Sequence, residues 1–293
     1  MVSVIIPTYN RAELVFRAAK SVLNQTFRDF ELIIVDDGST DNTKNLVESL
    51  GDSRVRYIYQ KNSGACAARN NGIDHAKGEY IAFHDSDDVW HEDKLEKQVK
   101  ILKESGADLV FCCMSKIQNK KQAGLIGDVF PEGFCASSEL PLGGSTQTLC
   151  ADSDVFRTEH FDENMPRLQD FELLLRISKK YKVYYIKEPL VDYYMQEDSI
   201  SMNPKKLLMA WEIILKKHDD FLSRYKGKLT RAALGILGEA WKTDDLELKK
   251  QLVSMALRLE KSPKVVVKSF LIHNEKLYQK IARIHKFYKD IKT

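Results

Sequence analysis

The chain of 293 residues lacks several features that would each define a class of protein. No apolar run reaches the roughly 18 residues that a membrane-spanning helix needs. The five cysteines form no Cys-x-x-Cys pair and are odd in number, which argues against a disulfide framework and for a reducing compartment. Met1 leads directly into an apolar segment without a basic region or a cleavage site, so we expect no signal peptide.

Two glycine-rich signatures of nucleotide-binding proteins are also missing. The sequence contains neither Gly-x-Gly-x-x-Gly nor Gly-x-x-x-x-Gly-Lys-[Ser/Thr]. Dinucleotide oxidoreductases and P-loop enzymes normally carry one of them, because each lets the backbone approach a phosphate closely. We therefore expect neither class.

Charge is unevenly distributed along the chain. The net charge is +3, yet residues 261–293 hold eight lysines and one arginine against two acidic residues, which leaves −4 on residues 1–260. Apolar residues recur at helical spacing within this basic segment. We predict a terminal helix that binds an anionic membrane surface, mediates homodimerisation or packs on its own domain.

Apolar strands alternate with amphipathic helices in the first half of the chain. We predict strands at 2–6, 31–35, 55–60, 80–84 and 107–113, and helices at 12–24, 41–50, 65–76 and 89–104. Such alternation is typical of an α/β protein with a mainly parallel, Rossmann-like sheet flanked by helices.

The second half is less regular and then becomes helical. Residues 114–200 predict a strand at 147–156 and a helix at 170–181. From 203 onward only helical patterns occur, with Asn203 as the N-cap, Pro204 in the first turn and Gly227 closing the first helix. We predict domains at 1–202 and 203–293, the latter all-helical.

Four polar segments follow predicted strands: PTYN at 7–10, DDGS at 36–39, NSG at 62–64 and DSDD at 85–88. The carboxyl ends of parallel strands share one edge of a sheet, so these segments should meet in one cleft. Asp-x-Asp carboxylates suit a hard divalent cation, which could hold a diphosphate. The alternative is an acidic loop that caps the next helix through Asp88.

Other residues of this cleft fit a nucleoside diphosphate. Arg69 would attract phosphate oxygens, Tyr9 could stack on a base, and Asp37 could accept a hydrogen bond from a pyrimidine N–H. The alternatives are that Tyr9 packs under a loop and that Asp37 forms a turn before Gly38. An acidic cleft and the lack of a recognised module argue against nucleic acid as a partner.

Five motifs occur in order along the chain: PTYNR at 7–11, VDDGSTD at 35–41, NSGACAARNNG at 62–72, FHDSDD at 83–88 and LQDFELLLR at 168–176. Together they resemble family 2 of the inverting glycosyltransferases, which have the GT-A fold. The resemblance covers roughly residues 1–200. It implies transfer of one sugar from a nucleotide-diphosphate sugar to a hydroxyl of a glycan, lipid-linked or protein-linked acceptor. The expected donor is a UDP-sugar.

The resemblance also implies roles for individual residues. Asp170 would be the general base, and Asp87 would bind Mn²⁺ or Mg²⁺ on the diphosphate. The residues implied in nucleotide-sugar binding are Pro7, Thr8, Tyr9, Asp37, Asn62, Arg69, Asp85 and Ser86. Without the resemblance, Asp170 would be read as an ordinary helix cap. A cytoplasmic location follows, either free or at the inner face of the plasma membrane.

Three departures from the family pattern stand out. Gln169 precedes Asp170 where Glu is usual, and Tyr194 and Gln196 replace an Arg and a His in the segment YYMQEDSIS. We then expect only one protein ligand for the metal. The Q-x-x-R-W motif of processive polymerases is absent, which favours a single transfer. A nucleotidyltransferase and a non-catalytic sugar-nucleotide binding protein remain the alternatives.

Overall fold

The computed structural model describes residues 1–119, 121–127, 131–136, 144–195 and 203–274. The chain divides into two compact units, residues 1–199 and 200–293. Each unit has its own set of elements and is described separately.

The first unit begins with a purely parallel ladder. Its elements are β1 (Val2–Thr8), α1 (Ala12–Leu23), β2 (Phe30–Asp36), α2 (Thr43–Glu48), β3 (Val55–Tyr59), α3 (Ala65–His75) and β4 (Tyr80–Phe83). The strands lie in the order β3-β2-β1-β4. Every residue of β1, β2 and β4 is buried, as expected for continuous apolar strands covered on both faces. The predicted Rossmann-like arrangement is confirmed here.

The sheet becomes mixed in the second half of this unit. The elements are β5 (Val89–Trp90), α4 (Lys94–Ser105), β6 (Leu109–Gln118), β7 (Lys121–Ile126), β8 (Gly133–Cys135), a 3-10 helix (Thr146–Thr148), β9 (Cys150–Asp152), α5 (Ser153–Thr158), α6 (Gln169–Lys180) and β10 (Val183–Tyr194). Strand β9 lies antiparallel between β4 and β6. Strand β10 runs parallel to β6 and antiparallel to β5.

Two predicted elements are only partly correct in this half. The strand predicted at 147–156 is confirmed only at Cys150–Asp152. Thr146–Thr148 is a 3-10 turn whose Thr148 carbonyl accepts from Gln98 Nε2 (2.7 Å), and Ser153–Thr158 is a short helix. The helix predicted from 89 begins at Lys94, because Val89 and Trp90 pair with β10. Asp88 therefore does not cap it.

The sheet buries alternate residues on its two faces. Val4 and Ile6 of β1 face the cluster that includes Ala18 of α1, whereas Ile5 faces the opposite cluster with Ile73 of α3. Helix α3 approaches β1 at Gly72, where a Cβ atom would overlap the Ile5 side chain. This close approach fixes the height of α3 above the sheet.

The second unit is helical, with α7 (Pro204–Lys217), α8 (Phe221–Arg224), α9 (Thr230–Lys242), α10 (Leu246–Leu259) and α11 (Pro263–His273). The Asn203 side chain accepts from the N–H groups of Lys205 and Lys206, so the predicted cap is correct. Gly227 does not close α7, which ends ten residues earlier at Lys217, before α8.

The terminal helix predicted within residues 261–293 is described only as α11, and residues 275–293 lie outside the described part. Among the helices that the structure describes, none combines the length and apolar character needed to cross a bilayer. All five cysteines are free thiols, and Cys112 and Cys113 are buried in β6 as expected of small apolar residues.

Candidate active site

The polar segments after the first strands meet at one edge of the sheet, as predicted. The Asp37 N–H donates to the Thr8 carbonyl at 2.8 Å, which joins the segment after β2 to the end of β1. The Gln60 N–H donates to the Asp36 carbonyl at 2.9 Å and brings the segment after β3 to the same place. The ends of three strands thus form one continuous rim.

The end of β1 supplies a buried floor and one exposed ring. Pro7 and Thr8 are buried, and the Thr8 hydroxyl has no hydrogen-bond partner among the described residues. A buried hydroxyl without a partner marks a place where a ligand atom can be accommodated. Tyr9 is 47% exposed, so its ring is available for stacking and does not pack under a loop.

Asp37 organises the neighbouring loop. Its carboxylate accepts hydrogen bonds of 2.8 Å from Gln60 Nε2 and from the N–H groups of Ser63 and Gly64. The side chain is 4% exposed. Asp37 therefore holds the rim in shape, whereas the family pattern implies direct contact with a base.

Gly38 lies directly against this loop with a φ of +90°. A Cβ atom at this position would sit 2.9 Å from the Asn62 backbone nitrogen, so only glycine allows the contact. Asn62 itself is exposed at the rim. Its predicted place beside a ligand is compatible with this position.

Arg69, in the motif at 62–72, contacts residues of two other motifs. From α3, its Nη2 donates to Asp85 Oδ1 at 2.8 Å and its Nη1 donates to Gln169 Oε1 at 3.2 Å. The guanidinium also lies over the Phe161 ring, 5.4 Å from its centroid. Gln169 is the residue that departs from the usual Glu. It offers Arg69 a neutral oxygen, so it does not itself compensate the guanidinium charge.

Asp170 lies in the first turn of α6, close to Arg69 and Gln169. Its Oδ1 accepts from the Phe171 N–H at 2.8 Å. Burial raises the pKa of the Asp170 carboxyl above 3.8, the Asp85 charge adds to the rise, and the Phe171 N–H, Arg69 and Ser145 oppose it. A carboxylate with a raised pKa is a stronger base than an exposed one.

The backbone before Asp170 is strained. Leu168 adopts a left-handed conformation with φ +59° at the start of α6. This conformation costs a residue with a side chain about 1–3 kcal/mol and persists only where the surroundings impose it. It sets the direction in which Gln169 and Asp170 enter the site.

Asp87 is held by two arginines from the start of the chain. Arg11 Nη1 donates to Asp87 Oδ2 at 2.8 Å, and Arg17 Nη2 donates to the Asp87 backbone carbonyl. Burial and the neighbouring Asp85 raise the pKa of the Asp87 carboxyl. The Arg17 guanidinium also lies 4.4 Å from the centroid of the Tyr194 ring. Tyr194 is the residue that replaces the Arg of the family pattern.

The third carboxylate of the acidic run points inward. Asp88 is 1% exposed and accepts from Gln147 Nε2 at 2.9 Å and from the Tyr194 N–H at 3.0 Å. Burial, with Asp85 and Asp87 nearby, holds its pKa well above the ordinary value. Asp88 thus ties the loop to β10, and Ser86 beside it is also buried.

Several of these residues could not be predicted from the sequence. Arg11 belongs to the motif at 7–11 without a role implied for it, and the 3-10 turn containing Gln147 falls within a predicted strand. Arg17 falls within the periodic pattern of α1, which gives no sign that its side chain reaches residues 87 and 194. No local sequence pattern predicts contacts between residues 70 or more positions apart.

The carboxylates fit a cation that is shared with a ligand. Asp85 and Asp87 offer hard oxygen atoms, but each already shares one oxygen with a guanidinium. Within the described ranges no group of three or more His, Cys, Asp or Glu side chains is arranged to hold a metal ion. Mn²⁺ or Mg²⁺ would therefore depend on diphosphate and water oxygens in addition to Asp87, which is the usual way Mg²⁺ binds at phosphate sites.

Known structures share this fold. The chain superposes on the crystal structure of residues 1–349 of S. aureus TarS in complex with UDP-GlcNAc with a TM-score of 0.67 at 20% identity, covering 94% of this chain and 87% of that chain. It also matches the mannosyltransferase PcManGT from Pyrobaculum calidifontis, in complex with GDP-Man and Mn²⁺, with a TM-score of 0.59 at 16% identity and 94% and 79% coverage. The predicted GT-A fold is confirmed.

Sequence relatives carry glycosyltransferase names. The chain is 35% identical over 216 residues to the putative teichuronic acid biosynthesis glycosyltransferase TuaG of Bacillus subtilis, covering 70% of this chain and 83% of TuaG. It is 29% identical to the Escherichia coli glucosyltransferase WfgD, over 82% of this chain and 96% of WfgD.

A third relative is much longer than this chain. An uncharacterized glycosyltransferase of Rickettsia conorii is 38% identical over 187 residues, but the match spans only 30% of that protein. The model of the family described as "Glycosyl transferase family 2" matches residues 3–163, more than half of the chain. The predicted family is thereby confirmed, and the chain belongs to glycosyl transferase family 2.

Proposed function

We propose that the protein transfers a single sugar from a nucleotide-diphosphate sugar to an acceptor hydroxyl, with inversion at the anomeric carbon. The observation that carries this proposal is the meeting of Asp85, Arg69, Gln169 and Asp170, which come from three distant motifs. A cationic group for the diphosphate and a carboxylate of raised pKa for the acceptor lie side by side. A binding protein would have no use for the second.

The donor would bind along the rim formed by the first strands. The exposed Tyr9 ring would stack on the base above the floor of Pro7 and Thr8, and the loop shaped by Asp37 would present Asn62 to the nucleoside. Arg69 would reach the diphosphate from the other side. The Ser86 backbone and the Asp85 carboxylate would border the ribose or the sugar.

Departure of the nucleoside diphosphate develops negative charge on its phosphate oxygens. Arg69 is placed to stabilise that charge, since its guanidinium is largely buried and already oriented by Asp85 and Gln169. A divalent cation bound through Asp87 would supply further neutralisation of the same oxygens. Both groups act on the leaving group and leave the acceptor free.

Asp170 would remove the proton of the attacking hydroxyl. Its carboxyl group is partly buried, which raises its pKa and its basicity. Attack from the face opposite the leaving group inverts the configuration and requires no covalent intermediate on the protein. The proton passes to the Asp170 carboxylate, and the new glycosidic bond forms as the bond to the diphosphate breaks.

The names of relatives support particular substrates. WfgD is named as a UDP-Glc:α-D-GlcNAc-diphosphoundecaprenol β-1,3-glucosyltransferase, and TarS has been crystallised with UDP and with UDP-GlcNAc. We therefore propose a UDP-sugar as donor and a lipid-linked glycan as the leading acceptor class. Such an acceptor would place the enzyme at the cytoplasmic face of a membrane.

The test is product formation. The protein is incubated with Mn²⁺, a panel of UDP-, GDP- and dTDP-sugars and lipid-linked or soluble glycan acceptors, and the products are identified by mass spectrometry. We expect an acceptor mass increased by one sugar unit and release of nucleoside diphosphate. Tight nucleotide binding without transfer to any acceptor, and with Asp170→Asn behaving as the wild type, would instead favour the non-catalytic binding protein.

A further inference from the structure

The 3-10 turn (Thr146–Thr148) packs against α6 beside Asp170. A Cβ atom at Gly144, just before the turn, would lie 2.5 Å from Leu174 Cδ1, so the backbone here touches α6 directly. Asp170 and Leu174 are four positions apart and therefore lie on the same face of the helix. Ser145, the residue after Gly144, is a side-chain hydrogen-bond partner of Asp170. The segment thus brings a hydroxyl group to the proposed base.

The backbone of this turn holds Ser145 in place. The Thr148 N–H and hydroxyl group donate to the Ser145 carbonyl at 2.8 Å and 2.6 Å, and the Ser145 N–H donates to Thr148 Oγ1 at 3.2 Å. Thr148 is fully buried, and its own carbonyl accepts from Gln98 Nε2 of α4 at 2.7 Å. Ser145 therefore belongs to a firmly held part of the first unit.

The Ser145 hydroxyl group has a second neighbour. Its Oγ lies 2.8 Å from Gln147 Oε1, and Gln147 Nε2 donates to Asp88 Oδ2 at 2.9 Å. Gln147 and Asp88 are 2% and 1% exposed, so this amide group has little freedom to move. A hydroxyl group has one hydrogen, and the charged Asp170 carboxylate is a stronger acceptor than a neutral amide oxygen. Gln147 thus fixes the place of a hydroxyl group that can donate to Asp170.

The other charged or titratable groups that face Asp170 come from two places in the fold. Arg69 and Cys66 belong to α3, and Asp85 follows β4. Burial raises the Asp170 pKa and Asp85 adds to the rise, whereas Arg69 and Ser145 lower it. Ser145 therefore favours the ionised carboxylate, which is the form that a general base needs.

We propose that Ser145 is a positioning residue for Asp170. The Phe171 N–H binds one carboxylate oxygen from within α6, and the Ser145 hydroxyl group supplies a second donor from a different element. Two donors from two elements hold the plane of the carboxylate while it takes the acceptor proton. The inference rests on the proposed function, and it adds a residue that lies outside the five motifs.

The first experiment measures the Asp170 carboxyl group itself and needs no substrate. The full chain is labelled with ¹³C at its aspartate carboxyl groups and titrated by NMR, and the Asp170 signal is the one missing from Asp170→Asn. The Asp170 pKa should rise in Ser145→Ala, because the ionised form loses a donor. Ser178→Ala is the matched control, since Ser178 lies on the same helix and its hydroxyl group donates to the Leu175 carbonyl. Equal Asp170 pKa values in the two serine variants overturn the inference.

The second experiment tests whether Ser145 acts through Asp170. At a pH above the acid limb, Ser145→Ala should lower the transfer rate on the order of tenfold, the scale of one hydrogen bond to a charged group, while UDP affinity measured by calorimetry stays unchanged. In the Asp170→Asn background, Ser145→Ala should cause no further loss. An equal loss in that background would mean that Ser145 acts independently of Asp170 and overturns the inference, as does an unchanged rate in Ser145→Ala.

The inference and the proposed function fail in different ways. A wild type that transfers no sugar to any acceptor contradicts the proposed function. The NMR titration still decides on Ser145 in that case: a higher Asp170 pKa in Ser145→Ala than in Ser178→Ala upholds its hydrogen bond to Asp170, and equal values overturn it.

Discussion

Asp170 is the residue on which the proposed reaction depends most directly. We expect Asp170→Asn to lower the transfer rate by about 10²–10⁴-fold, because the amide cannot take the acceptor proton. UDP affinity should stay within about twofold, since the carboxylate acts on the acceptor and not on the donor. Calorimetry and a product assay measure the two effects. Asp154→Asn, at an exposed carboxylate of α5, is the control.

The pH dependence of the transfer rate gives a second test of Asp170 as the general base. Because the Asp170 pKa is raised above 3.8, the wild-type rate should fall with decreasing pH on an acid limb above that value. The sign follows from the role: a general base works only when deprotonated. The residual activity of Asp170→Asn should lack this limb. An unchanged acid limb in the variant would assign the titration to another group.

Lys94 is a fully buried cation whose ammonium donates to Gln98 Oε1 at 2.6 Å and lies 3.8 Å from the Trp90 ring centroid. Burial lowers its pKa from 10.5 to about 8. Between these two values the unfolded chain binds the proton that the folded protein has released, so the free energy of unfolding rises with pH. Across that pH range, the release of the Lys94 proton raises the free energy of unfolding by about 3 kcal/mol in total.

We expect Lys94→Met to lose that component. The difference in unfolding free energy between about pH 7 and about pH 10 should be smaller in Lys94→Met than in the wild type, while the exposed Lys20→Met on α1 should match the wild type. Urea denaturation at the two pH values measures it. Identical differences in wild type and Lys94→Met would show that the folded protein holds the Lys94 proton to its ordinary pKa.

At the scale of the element, the contact between α3 and β1 leaves no room for an added methyl group at Gly72. Gly72→Ala should destabilise the first unit by about 1–3 kcal/mol, because its new methyl group overlaps Ile5. Gly235→Ala in α9 meets nothing within 4 Å and should stabilise its helix by about 0.5–1 kcal/mol. Comparing the melting temperatures of the two variants distinguishes the cost of the overlap with Ile5 from the gain in helix propensity.

The same elements explain what the sequence analysis could predict. Strands β1 to β4 and helices α1 and α3 were predicted because buried apolar runs and 3.6-residue periodicity are local signals. The turn at Thr146–Thr148 was missed because its buried polar groups are stabilised by Gln98 and Ser145. Likewise the pairing of Arg11 with Asp87 spans 76 positions and depends on the assembled sheet.

At the scale of the whole molecule, the basic segment invites a test of membrane binding. On the exposed surface of α11 lie Val266, Val267 and Phe270, whereas Val265 is buried in the helical unit. A truncation should therefore keep α11 and remove only residues 275–293. The full chain should bind vesicles of anionic lipid at low salt and be released as salt rises, because the attraction is screened within about 8–10 Å at physiological ionic strength.

The truncated protein should keep its melting temperature and bind these vesicles more weakly. Vesicles of neutral lipid are the control, since they offer apolar contact without surface charge. A full chain that ignores anionic vesicles at low salt would leave packing on its own domain or homodimerisation as the role of the segment.

The division into two units separates chemistry from the rest of the chain. Every described residue of the candidate site lies before position 199, and the family model matches residues 3–163, within the first unit. We therefore expect that a gene segment encoding residues 1–199 can be fused or duplicated as one cassette that carries every described residue of the candidate site.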